Sequence, residues 1–266
     1  MSRTGKRRNV RRASDGVRFA AAVLVLLVIV TVAALAVVRL RQAALRAHEH
    51  AAPMTGPAGA GGASLIGEQG IVFGGLPVAE ADVGPAEVLR NTAYISGYSE
   101  RRKDPLWVAY HVIHMEHPFH LERPKGNFLT DLRTSAKVTH EDYTGSGFDR
   151  GHMAPNSAIA HCFGEEAQRE TFLLSNICPQ SAVLNQKVWD LLEKEELVYA
   201  DAAGGPGEVF VMDGPVFGDL NGGVTRKLAA GIAVPTAFYK ILVEAPAAGE
   251  VRVFSVIMPQ TVKAGQ

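Results

Sequence analysis

The chain has 266 residues, 47% hydrophobic and 20% charged, a balance that excludes a disordered or low-complexity protein. Its 27 basic and 27 acidic residues cancel, but they are spread unevenly. The first 64 residues hold 10 of the basic and 2 of the acidic ones, and the remainder, at 17 against 25, carries about −8, which excludes a protein that coats nucleic acid through a general positive surface.

The chain opens with Arg3, Lys6, Arg7, Arg8, Arg11, Arg12 and Arg18, followed by an uncharged apolar run over 19–38. A helix of about 20 residues rises about 30 Å, the thickness of a bilayer core. Only Arg39, Arg41 and Arg46 follow closely, so the positive-inside rule predicts a single-pass anchor. It puts residues 1–18 in the cytoplasm and the rest of the chain on the extracytoplasmic side, periplasmic or extracellular. A cleaved signal peptide is the alternative, but its apolar part is usually about 7–15 residues and ends at a small-residue cleavage site. An Arg-rich, acid-poor start also fits an organelle transit peptide, which keeps an organelle inner membrane open. Residues 39–64 read as a linker, being Ala-, Gly- and Pro-rich from Ala47 to Ser64. Residues 65–266 are one domain's worth of chain.

Within that domain Trp107–Ile113 reads as a strand. Glu165–Leu174, with acids in its first turn, and Gln186–Ala200 read as helices. Further strands are predicted at Val209–Val216, Phe238–Glu244 and Val251–Met258, the last two joined by a Pro- and Gly-containing turn. Strands that do not alternate regularly with helices point to an α+β domain with a mostly antiparallel central sheet flanked by helices.

The chemistry gathers between Asp142 and Glu193. A glycine-containing approach leads into Asp149-Arg150-Gly151-His152, followed by Ser175-Asn176-Ile177-Cys178-Pro179-Gln180 and then Leu184-Asn185-Gln186-Lys187-Val188-Trp189. On an α-helix Asn185, Trp189 and Glu193 stand at i, i+4 and i+8 and drift only about 80° around the axis. Asn185 and Glu193 are therefore expected to face one pocket, with Trp189 in the core.

These runs resemble the DNA/RNA non-specific endonuclease family, over about Asn91 to Met258. The resemblance rests on the Asp-Arg-Gly-His core, the Ser-Asn-x-x-Pro-Gln run and the Leu-Asn-Gln-x-x-Trp-x-x-Leu-Glu helix. Flanking matches begin at Gly97-Tyr98 and at Val234-Pro235-Thr236. It implies a ββα-metal fold and a hydrolase that cuts phosphodiester bonds of DNA or RNA with little sequence preference, with a possible homodimer. His152 would be the general base, because a neutral imidazole can accept a proton in the transition state. Asn185 would be the one direct protein ligand of a single divalent cation, Mg²⁺ or Mn²⁺, with Glu193 orienting a water of that cation. Arg150 would lie near the scissile phosphate, Asp149 would fix the local turn and the His152 geometry, and Asn176 would hydrogen-bond at the pocket as a substrate-binding residue. Arg123 or Lys125 would supply a phosphate contact.

The sequence departs from the family in two places. Where the family carries an Arg one turn beyond the acidic residue of the metal helix, this chain has Leu197, and it stops soon after Met258-Pro259-Gln260. A catalytically weak, membrane-anchored nucleic-acid-binding protein is therefore the second reading, favoured by Leu197 and by the acidic domain. A structural envelope protein is a third, which would leave His152, Asn185 and Glu193 without a purpose. Taken alone, His152 would be an ordinary turn histidine, Asn185 a helix N-cap and Glu193 a solvated helix residue.

His111, His114, His117 and His120 recur every third residue, a period that scatters side chains on a strand, and Pro118 breaks any helix. They are not expected to bind metal as a set. His140 and His161 have no evident partners. Cys162 and Cys178 could pair outside the cytoplasm, but Cys178 lies among the site residues and the unpaired state is favoured.

Overall fold

A computed structural model describes residues 70–77, 84–201, 208–218, 226–244 and 251–263, all within a compact unit spanning Ala63–Gln266. The expected basic terminus, anchor and linker fall outside the described residues. Among the residues described, no helix is long and apolar enough to cross a membrane.

Six strands form one antiparallel sheet in the order β1-β2-β3-β6-β7-β8. They are β1 (Glu87–Arg90), β2 (Tyr94–Ser99), β3 (Asp104–Ile113), β6 (Glu208–Val216), β7 (Ala237–Glu244) and β8 (Arg252–Pro259). The two central strands are β3 and β6, paired Tyr110 to Val211. Between them in sequence lie the remaining elements: β4 (Asp149–His152), α1 (Asn156–Glu170), β5 (Ile177–Gln180), a π-helical turn (Leu184–Trp189) and α2 (Asp190–Asp201).

The four strands expected from the sequence are present with ends shifted by one to three residues. Both helices differ from expectation. α1 begins at Asn156, directly after Pro155, and ends at Glu170 rather than Leu174. Gly164 interrupts it with φ 82°, a left-handed conformation that costs glycine little. The uncharged first half, Asn156–Phe163, therefore sits at an angle to the acidic second half, and only the latter carried a helix-start signal. The second helix opens earlier than expected, where Ser181 Oγ accepts the Leu184 N–H at 3.4 Å. Its first turns are π-helical.

Strand alternation divides the sheet between two cores. Tyr94, Val108, Tyr110, Val112, Val209, Val211 and Phe238 pack with Trp189 and with Ala158, Ile159 and Cys162 of α1. On the other face Ile95, Trp107 and Ala109 pack with Ile71 and Val72. A third cluster, including Val138, Tyr143, Leu174, Ile177, Ile232 and Val234, supports the β4–β5 pair. Cys162 and Cys178 are both free and buried.

His111 and His114 take separate partners. His111 Nδ1 meets Glu208 at 2.8 Å, with its ring stacked on Phe163, whereas His114 Nδ1 meets Asp201 at 3.0 Å.

Candidate active site

The site is built on a strand–strand–helix unit. β4 and β5 pair antiparallel with Asp149 opposite Gln180, Gly151 opposite Cys178 and His152 opposite Ile177. The two strands approach so closely that a Cβ on Gly151 would lie 2.0–2.6 Å from three atoms of the Gln180 side chain. Gln180 is fully buried, so it has no solvent to move into, and glycine is the residue that fits.

His152 ends β4 and is 8% exposed. Its ring lies 5.3 Å from Phe128 and 5.2 Å, edge-on, from Phe172. Burial, and secondarily the positive charge of Arg123, push its pKa down to about 3. The imidazole is thus neutral, and its Nε2 is buried without a hydrogen-bond partner. A buried polar atom left unpaired carries a cost, which a ligand or substrate group accepting or donating there would remove.

Asn176 corrects the sequence-based expectation. It is completely buried, and its amide is spent on the fold. Oδ1 accepts the Ala154 N–H at 2.9 Å, and Nδ2 donates to the carbonyls of Ala154 and Thr171, both at 3.0 Å. It pins the chain two residues beyond His152 and has no polar atom to spare for substrate. Its position in the Ser-Asn-x-x-Pro-Gln run was legible, but its orientation toward the protein interior was not.

Asp149 Oδ2 accepts Nδ2–H of Asn185 at 2.9 Å and Nε2–H of Gln186 at 2.8 Å. With its amide nitrogen held there, Asn185 turns its carbonyl oxygen away from Asp149. Asn185 is not a helix N-cap, because its own N–H already bonds to Ser181 O at 2.9 Å. It lies in the π turn, where i→i+5 bonding winds more slowly than an α-helix, so the expected α-helical phasing to Glu193 is altered. Glu193 is half-buried on α2. Burial pushes its carboxyl up to about 8, with Glu196, Asp213 and Asp190 adding to the rise and Lys240 opposing it.

Arg150 sits two residues before His152 and lies beside Tyr143. Its Nη2 donates to His140 O at 2.6 Å and Thr144 Oγ1 at 2.9 Å, while its Nε is buried without a partner. Arg123 lies 5.1 Å over the Phe172 ring, on the His152 side. Lys125 is exposed, and no contact ties it to the site. Leu197 packs against the main core instead of reaching outward.

Several contributors carried no sequence signal. Phe128 forms one wall of the histidine cage, and His140 Nδ1 accepts the Phe128 N–H at 3.2 Å, which gives His140 a role in holding that wall. Arg226 lies 5.2 Å over Phe148, next to Asp149. These residues come from distant loops, and only the fold brings them in.

Among the described residues no three His, Cys, Asp or Glu side chains converge as a metal cluster. The candidate donors are the oriented carboxamide oxygen of Asn185 and the carboxyl of Glu193, both oxygen. This set fits a hard cation that keeps most of its water, and it does not fit a soft or tetrahedral one.

An antiparallel strand pair bearing a caged, unpaired histidine, followed by a helix bearing an oriented asparagine, is an arrangement consistent with the ββα-metal nuclease fold. The sequence profile of the family described as "DNA/RNA non-specific endonuclease" matches residues 80–264, and the chain belongs to that family. It is 32% identical over 189 residues to human "Endonuclease G, mitochondrial", covering 66% of this chain and 61% of that protein. It is 31% identical over 192 residues to "Nuclease" of Syncephalastrum racemosum, covering 65% and 58%. The chain thus spans about three-fifths of the length of these curated relatives. The crystal structure of an EndoG/EndoGI complex, described as showing the mechanism of EndoG inhibition, superimposes with a TM-score of 0.58 at 28% identity. That match covers 67% of this chain and 76% of the other.

Proposed function

We propose that this protein is a divalent-metal-dependent endonuclease that hydrolyses phosphodiester bonds of DNA and RNA with little sequence preference. The observation that carries the proposal is the pairing, on one strand–strand–helix unit, of an unpartnered His152 Nε2 with an Asn185 carboxamide held by Asp149. Family membership supports the same reaction class.

His152 Nε2 is the atom left to take a proton from the attacking water. Phe128 and Phe172 keep bulk water from the ring, so the imidazole stays neutral until substrate arrives. An incoming phosphate brings negative charge beside Arg123 and the ring, which offsets the positive charge of Arg123 and raises the basicity of His152 as it is needed. Arg150, through its spare Nε, and Arg123 hold the phosphate oxygens. Asn185 would hold the cation, Mg²⁺ or Mn²⁺, with Glu193 beside it; when bound, that ion supplies relief of negative charge on the leaving oxygen. Contacts that go to phosphate carry no base information, hence the weak sequence preference.

The apolar run 19–38 behind seven basic residues supports a second element, a single-pass anchor with the N-terminus cytoplasmic and the catalytic domain on the extracytoplasmic side. Protease digestion of sealed membranes tests it: the domain should be accessible only from the extracytoplasmic face.

The activity is tested by plasmid nicking with the full-length chain in Mg²⁺, in chelator, and with His152→Ala. Cleavage should need metal and fall about 10²–10⁴-fold in the variant. Metal-independent cleavage, or an undiminished His152→Ala, would overturn the proposal. Folded protein that binds DNA in chelator yet never cuts would favour the reading of a catalytically weak nucleic-acid-binding protein, to which the inward-packed Leu197 and the acidic domain belong.

A further inference from the structure

Behind the metal-bearing helix, on its sheet side, lies a charged side chain that the mechanism above does not use. Lys240 of β7 is completely buried. Its Nζ is 2.6 Å from Glu196 Oε1 on α2 and 2.8 Å from Asp213 Oδ2 on β6. It donates to Tyr110 Oη on β3 at 2.8 Å and lies 4.6 Å from the centroid of the Trp189 ring. Tyr110 in turn donates its hydroxyl proton to Glu196 Oε2 at 2.8 Å. The ammonium thus meets one hydroxyl by a hydrogen bond and two carboxylates as ion pairs, on three different elements. Burial works against its charge, but Asp213, Glu196 and Glu193 outweigh burial and hold the ammonium above its ordinary range.

A stable core does not require such a cluster. Apolar side chains of equal volume are often as stable as a buried ion pair or more so. What the ions add is directionality, because hydrogen bonds fix an angle where apolar contacts can slide. The two helix residues that Lys240 engages are Trp189 and Glu196, four residues before Glu193 and three after it, so they bracket Glu193 on one helix face. Trp189 also ends the π turn that carries Asn185.

We propose that Lys240 is a positioning residue for the metal site: by gripping Trp189 and Glu196 from the sheet, it sets the rotation of the helix and with it the directions in which Asn185 and Glu193 face. It touches neither cation nor substrate. The proposal rests on Asn185 and Glu193 forming the cation site.

Positioning is separated from plain electrostatics by holding the net charge constant. Losing the Lys240 charge alone changes the field at Glu193, whose carboxyl it keeps from rising further, and so changes cation binding by itself. Loss of positioning should weaken it, by about 10–100-fold, as when a side chain supporting a metal ligand is lost. The full-length chain carrying His152→Ala is titrated with Mn²⁺ by calorimetry and by electron paramagnetic resonance. Adding Lys240→Met should weaken Mn²⁺ binding by that factor, and unchanged or tighter binding overturns the proposal.

Lys240→Met strands two buried carboxylates and can unfold the protein, so Lys240→Met/Glu196→Gln, which keeps the parent's net charge, is measured beside it. The same weakening is expected in this variant, with a cooperative urea transition showing that it is folded; parental affinity in the folded double variant overturns the proposal. With His152 restored, the Mg²⁺ concentration for half-maximal cleavage should rise. A smaller folded fraction alone would lower the rate without moving that midpoint. Asn185→Ala separates the two levels of the argument. If the parent binds no Mn²⁺, or binds it undiminished in Asn185→Ala, the cation-site reading fails and the proposal falls with it. Loss in Asn185→Ala alongside parental binding in both Lys240 variants sinks the proposal alone.

Discussion

At the scale of single residues the site depends on atoms whose partners are restricted. Asp149 spends Oδ2 on the amide nitrogens of Asn185 and Gln186, and that restraint aims the Asn185 oxygen. Asp149→Ala should therefore raise the Mg²⁺ concentration for half-maximal cleavage about 10–100-fold, while leaving the urea midpoint nearly unchanged because Asp149 is only half-buried. His152 makes a different prediction. Its folded pKa of about 3 lies below its ordinary 6.5, so between those values the unfolded chain binds a proton that the folded chain refuses. Stability from this group is complete above pH 6.5 and is lost as pH falls toward 3. Urea unfolding at pH 6, 5 and 4 should show wild type losing about 1 kcal/mol per pH unit more than His152→Gln. Equal slopes would mean that the ring is not held neutral by its cage.

At the scale of elements, the β4–β5 contact depends on the absence of a side chain. Gly151→Ala would drive a Cβ into the buried Gln180, and overpacking of this kind costs about 1–3 kcal/mol, measurable as a lower urea midpoint. Shortening the neighbour in Gly151→Ala/Gln180→Ala should recover part of it. The same elements mark how far the sequence could be read. The long strands β3, β6, β7 and β8 announce themselves through apolar β-branched runs between turn residues. β4 and β5 do not, because four-residue strands carrying Asp-Arg-Gly-His and Ile-Cys-Pro-Gln have no periodicity; only the family resemblance marked them. The start of α1 escaped notice because Gly164 splits it and its first half carries no charge. The π turn has no local signature at all. For the site, residue identities were legible and directions were not: Asn176 stands in the expected run but spends its amide on Ala154 and Thr171, and Phe128 and His140 are visible only once the loops are placed.

At the scale of the whole molecule, the proposed function requires an acidic domain to engage a polyanion through a few cations, Arg123 and Arg150 foremost. Each neutralised phosphate of duplex DNA contributes about −0.9 to the slope of log affinity against log salt. The full-length His152→Ala protein in chelator should thus give a slope shallower than about −4, and a steeper one would reveal a basic surface that the charge balance argues against. The placement of the site has a further consequence. The strand–strand–helix unit lies between β3 and β6 in sequence, yet these two strands are nearest neighbours at the centre of the sheet. Pairing Tyr110 with Val211 closes a loop of about a hundred residues, an entropic cost that must be met before the contact is gained. Folding should therefore be slow for a domain of this size. The β4–β5–α2 unit can form early from neighbouring segments, but it is clamped in place only when β7 arrives with Lys240. If Lys240 sets the helix rotation as proposed, the catalytic geometry is complete only once β7 has docked, so loss of cleavage should precede loss of the far-ultraviolet signal as denaturant rises.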